Sequence, residues 1–245
     1  MAGSKKRSRA ASEFTFASPA LLIAGVRTGG TFLSVALSNH PQIFCARGEP
    51  FHRRSLWKSA IPDEAARLEL LWNQQGYVIS MFKISVADVR KPSRWSAIKG
   101  RLKIKILSLT RENSLEQAAS NEINRMHCSG KLRSHPAHSF DEVNPAPVVL
   151  GVGSFIKEYK RAIGAKKRTR KMLGNLSNPV LYLTYEQITR GGKGEVTQIP
   201  EEASKRICKF LGVDLLPLSS QLRKIHKRPY EEIVTNWREI LGAMK

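Results

Sequence analysis

Short apolar runs, each bounded by glycine, proline or a polar turn, alternate along this chain with segments of helical period. "PALLIAGV" (19–26) is such a run, the pattern of a buried strand. "TFLSVALSNHP" (31–41) then places Phe32, Val35, Ala36 and Leu37 near helical spacing, and Pro41 ends the helix. "DEAARLELLWNQQG" (63–76) predicts a second helix, with acids in its first turn and Gly76 near its end. "YVISMFKISV" (77–86) and "KIKILSLT" (103–110) predict strands. Between them, "RKPSRWSAIKGR" (90–101) is basic and turn-rich, and is expected to be irregular. "NSLEQAASNEINRM" (113–126) predicts a helix capped by Asn113 or Ser114. A long loop (129–147), a long helix (149–173), a strand "PVLYLTY" (179–185), a helix closed by Gly212 (201–212) and a last helix (230–242) complete the pattern.

Strands alternating with helices specify an α/β fold: a central, mainly parallel sheet flanked by helices on both faces. One domain is expected over 19–245, after a basic tail, 1–18, that offers little to bury and is expected to be disordered. No run approaches the roughly 18–20 apolar residues of a membrane span. The first residues lack the apolar core of a secretory signal, so the cytoplasm is the expected location. Cys45, Cys128 and Cys208 are far apart and form no C-x-x-C, which indicates neither a zinc site nor a disulfide framework.

Charge changes the picture. Lysine and arginine number 41 against 20 acids, a net charge of +21, which calls for an anionic partner. "LLIAGVRTGG" turns from strand to helix through glycines 25, 29 and 30, so main-chain amides and the helix dipole converge where an anion can sit. Gly25 and Gly30 have the spacing of a nucleotide-phosphate loop, but Thr31 and Phe32 stand where lysine and a magnesium-binding hydroxyl belong. That argues against a metal-dependent nucleotide kinase and for an anion that reacts without a metal clamp. Arg27 still supplies a cation inside the loop.

"GVRTGGTFLSVALSNHP" followed by "GEPFH" resembles the PAPS-dependent sulfotransferases, most closely the bacterial carbohydrate type that acts on nodulation factors and trehalose. The resemblance implies a P-loop-like fold and 3′-phosphoadenosine 5′-phosphosulfate (PAPS) as donor, with no metal. It implies that Arg27, Thr28, Gly29, Gly30, Thr31 and Phe32 wrap the phosphosulfate, with Gly30 replacing a hydroxyl residue of the family pattern. "ILSLTRENSLEQAASNEINR" (106–125) is similar to the family's 3′-phosphate element, which assigns Arg111 and Ser120 to that phosphate. "LRKIHKRPYEEIVTNWREI" (222–240) resembles the closing segment, with Lys227 and Arg228 over the cofactor's phosphates and Trp237 and Ile240 packed on the body.

The reaction needs a base. Many cytosolic relatives use a histidine after a strand end; here Lys83-Ile84-Ser85 puts a serine in that place. The carbohydrate type uses a glutamate, and Glu49 in "ARGEPFH" occupies its position, with Arg47 nearby to keep it ionised and His52 in reserve. Arg27 is assigned to the charge on the leaving phosphate; Lys83 either assists from its strand end or caps the core. The implied acceptor is a hydroxyl, carbohydrate by resemblance.

"SFIKEYKRAIGAKKRTRKML" (154–173) carries an apolar stripe of Phe155, Tyr159, Ala162 and Ile163 that gives out beyond Gly164, so its second half is expected to project. That end is either solvated or takes an acidic acceptor. The alternative function, a basic nucleic-acid-binding protein, draws on these same clusters. Aromatic residues are only 7% and no stacking or zinc-finger motif occurs, which counts against it.

Overall fold

The computed structural model describes residues 17–46, 48–51, 60–61, 63–100, 103–129, 147–189, 198–222 and 229–244. In chain order these form β1 (Ser18–Ala24), α1 (Gly30–Ser38), β2 (Ile43–Ala46), α2 (Glu64–Trp72), β3 (Ile79–Ser85), α3 (Val86–Val89), α4 (Pro92–Gly100) and β4 (Lys105–Thr110). They continue as α5 (Ser114–Cys128), α6 (Val152–Gly174), β5 (Val180–Thr184), α7 (Tyr185–Thr189), α8 (Glu201–Leu211), α9 (Tyr230–Ile233) and α10 (Trp237–Gly242).

The five strands make one sheet in the order β2-β3-β1-β4-β5, and every pairing is parallel. β1 lies at its centre. That is why "ALLI" is fully buried: a central parallel strand is covered on both faces and has no polar side to show. One face packs Leu22, Ala24, Met81 and Leu109 against α1 and α8. The other packs Leu21, Ile23, Phe82 and Ile106 against α2, α4 and the end of α6. A third cluster joins Ala118 and Ile123 of α5, Phe155 of α6, and Tyr230, Ile233 and Ile240 of the C-terminal helices. Trp237 meets Phe155 edge-on at 5.7 Å, the packing role expected of it.

Caps follow local chemistry. The Asp63 carboxylate accepts from the Ala66 amide at 2.6 Å, and Asn113 Oδ1 accepts from the Glu116 amide at 3.1 Å. Gly212 ends α8 at φ 74.

The structure departs from the sequence expectations in several places. β2, "IFCA", is a strand not expected, too short for a periodic signal. "PSRWSAIKG" is helical, because Arg94, Trp95 and Ile98 turn inward onto Phe51 and the sheet. Arg94 is buried and holds Glu64 at 2.8 Å and Asp88 at 2.9 Å. The last expected helix is two short ones, α9 and α10, with Val234, Thr235 and Asn236 between them. Asn236 is used instead to clamp Leu150, donating to its carbonyl at 2.9 Å and accepting from its amide at 3.1 Å. Finally, the second half of α6 does not project: Thr169 and Leu173 are buried against the sheet.

Among the described residues, no helix is long and apolar enough to cross a membrane. The expected tail (save Ala17 and Ser18), Arg47, His52, Lys227, Arg228 and most of the 129–147 loop lie outside the described residues.

Candidate functional site

In the strand order β2-β3-β1-β4-β5, the chain leaves β1 for one side of the sheet and later returns to fill the other. The crevice for a ligand lies at the carboxyl ends of the strands beside such a switch. Residues 25–29 follow β1, Glu49 follows β2, Lys83 stands near the end of β3, Arg111 follows β4 and Tyr185 follows β5.

The loop after β1 is tightly shaped. Arg27 has φ 58, a left-handed conformation uncommon outside glycine, and Gly29 follows at φ 82. Leu33 is the first residue of α1 whose amide bonds back to Gly29, at 3.0 Å, so the amides before it lie outside that ladder. A Cβ on Gly29 would fall 2.7 Å from the Tyr185 ring, and one on Gly30 would fall 2.6 Å from Ala24 and 3.2 Å from the stem of Lys83. Both glycines are therefore required by close approach.

Contacts bring the expected residues together. Arg27 Nε donates to Ser120 Oγ at 2.9 Å, and Gln117 donates to the Val26 carbonyl at 2.8 Å, so α5 lies directly against the loop. Lys83 Nζ donates to Thr31 Oγ1 at 2.8 Å and pairs with Glu49 Oε1 at 3.1 Å. A cation thus joins the loop to the carboxylate after β2.

Arg111 is buried and its guanidinium lies 4.6 Å from the centre of the Tyr185 ring and 6.0 Å from that of Tyr230. Its Nη2 holds the Glu116 carboxylate, and Glu186 stands 4.0 Å from its Nε. That Nε is buried and makes no hydrogen bond. Burial pushes the Tyr185 phenol above its usual pKa, with Arg111 pulling the other way. The ring therefore serves as a neutral wall between Gly29 and Arg111.

Other expected residues have partners within the protein. Thr28 is buried and turns its hydroxyl back onto the Gly25 carbonyl at 2.8 Å. Phe32, partly buried, packs against the core. Ser120 accepts from Arg27. Ser85 caps α3, accepting from the Asp88 amide at 3.1 Å. Tyr185, Glu116 and Glu186 were not foreseen; position at a strand's carboxyl end was the one available signal for Tyr185.

No metal-binding group of histidine, cysteine and acidic residues occurs among the described residues. No family model and no curated protein matches the chain. Among solved structures it is similar to a sulfotransferase from Alicyclobacillus acidocaldarius, at 18% identity over 93% of this chain and 91% of that one, with a TM-score of 0.49.

Proposed function

We propose that this protein transfers the sulfuryl group of PAPS to a hydroxyl, with a carbohydrate as acceptor. The observation that carries the reading is the position of Lys83, 2.8 Å from the loop threonine and 3.1 Å from Glu49. It sets a cation between an anion cradle and the carboxylate that the sequence pattern nominates as base.

The residues present fit a bisphosphorylated nucleotide. Gly29 and Gly30 let the loop close against Tyr185, Ala24 and Lys83, and the buried Arg111 Nε has no hydrogen bond of its own. The loop and Arg27 hold the 5′ end, and Arg111 holds the 3′-phosphate. Glu116 already occupies one arm of Arg111, so a phosphate there competes with it. Bound PAPS supplies a sulfuryl group on a phosphate leaving group, chemistry that needs no metal.

Glu49 takes the proton from the acceptor hydroxyl, a contribution worth about 10²–10⁴-fold. Lys83 and Arg27 oppose the negative charge that collects on the leaving phosphate oxygen. Lys83 also holds Glu49 in place. His52, Lys227 and Arg228 remain proposed on the resemblance alone.

Calorimetry with adenosine 3′,5′-bisphosphate against ATP plus Mg²⁺ tests the reading. Saturable, one-to-one binding of the bisphosphate without metal is expected. Preference for ATP with Mg²⁺ overturns it.

A further inference from the structure

The surface of α6 carries charge that the chemistry above does not use. At about 100° per residue, Lys157, Lys160, Arg161, Lys167, Arg168 and Lys171 fall within a stripe about 120° wide. All six are exposed. The buried Phe155, Thr169 and Leu173 lie on the opposite side, so the stripe faces outward along the helix. Glu158 pairs with Arg161 at 2.5 Å; the other five have no acidic partner among the described residues. Like charges three and four apart destabilise a helix. A partner of opposite charge relieves that cost.

Size and chemistry select the partner. From Lys157 to Lys171 the stripe runs about 21 Å, and one helix is about 10 Å wide, giving a footprint of ~200 Å². Even a single DNA-binding module buries ~600–1,000 Å², so the ridge is too narrow for a duplex. Single-stranded nucleic acid is thin enough, but its binding sites stack bases on aromatic rings, and the stripe has none. Membrane helices turn an apolar face to the lipid, whereas the apolar face of α6 is turned into the core. What remains is a thin, linear polyanion without bases.

On the inner side of the same helix, Lys166 donates to the Glu112 carbonyl at 3.1 Å, next to Arg111. The same helix thus reaches the strand-end rim with its inner face and carries the stripe on its outer one. We propose that this stripe docks an acidic polysaccharide. The docking surface stands apart from the sulfuryl-transfer reading.

The test uses a labelled oligogalacturonate long enough to span the stripe, followed by fluorescence anisotropy. The full chain and a Lys160→Glu, Lys167→Glu, Lys171→Glu variant are compared. The variant is expected to lose at least tenfold in affinity and to show a shallower salt dependence, with unchanged binding of adenosine 3′,5′-bisphosphate. Equal affinity in the two proteins overturns the proposal. So does tighter binding of a DNA duplex or oligothymidylate of equal charge. Stripe-dependent polysaccharide binding without bisphosphate binding leaves the docking surface standing and removes the sulfuryl-transfer reading. Bisphosphate binding without stripe-dependent polysaccharide binding removes the docking surface alone.

Discussion

Replacing Gly29 with alanine probes the loop's geometry in a way that can be worked from the coordinates. Gly29 has φ +82, and an L-residue in the left-handed region costs about 1–2 kcal/mol. The new Cβ also lands 2.7 Å from Tyr185 Cδ2 and 3.2 Å from Cε2, on a ring wedged beneath Arg111. Overpacking of that kind costs typically ~1–3 kcal/mol. Together they put Gly29→Ala at about 2–5 kcal/mol. Gly76 supplies the control, because it has φ +79 and nothing within 4 Å of its Cβ position. Gly76→Ala should show the backbone term alone, about 1–2 kcal/mol. Urea unfolding of both variants, of Tyr185→Ala, and of Gly29→Ala combined with Tyr185→Ala, separates the two terms. Removing the ring should return ~1–3 kcal/mol as coupling between positions 29 and 185. Equal destabilisation by the two glycine variants, with no such coupling, refutes the claim that Tyr185 abuts the loop.

The other predictions concern charge. Glu49→Ala should leave bisphosphate affinity nearly intact and lower turnover at least about a hundredfold in a sulfuryl-transfer assay; unchanged turnover removes Glu49 as base. Glu116→Gln should tighten bisphosphate binding roughly fivefold, about 1 kcal/mol, by freeing an arm of Arg111; weaker binding in calorimetry shows that the carboxylate supports the site instead. Burial alone would raise the Glu64 pKa, but Arg94 outweighs it and holds it below the ordinary value. Its contribution to stability is therefore present above the ordinary glutamate pKa of about 4.3 and lost as pH falls through the lowered one. Arg94→Met should cost about 3 kcal/mol at neutral pH and flatten that acid limb in urea titrations; an unchanged limb removes the pairing. Burial pushes the Cys45 thiol up to about 12 despite the nearby Lys83, so iodoacetamide at pH 8 should label it only after unfolding, as read by peptide mass spectrometry.

The sheet and its order of elements were legible because β1, β3 and β4 are apolar runs with helical segments between them. β2 was not, since four residues carry no period. α4 was hidden by its charge: Arg94 reads as surface, yet it is buried by pairing with Glu64 and Asp88, which are remote in part from it along the chain. At the site, the turn after β1 and the residues after β2 and β4 could be nominated one at a time from local pattern. Lys83 could not be weighed, because its importance comes from parallel pairing with Leu22, which sets β3 beside the loop. The partners of Arg111 were equally out of reach. Glu116 lies in the first turn of α5, but Tyr185, Glu186 and Tyr230 reach Arg111 only through the tertiary fold.

The central place of β1 also bears on how the molecule assembles. β1 is made before both of its neighbours and must wait for them: Ser18 pairs with Ile79, and Ala20 with Lys105. Pairings so distant along a chain are slow to form. During synthesis the glycine turn exists as sequence long before Lys83 or Ser120 has been added to hold it. The shaped loop is thus expected to be a late product of folding.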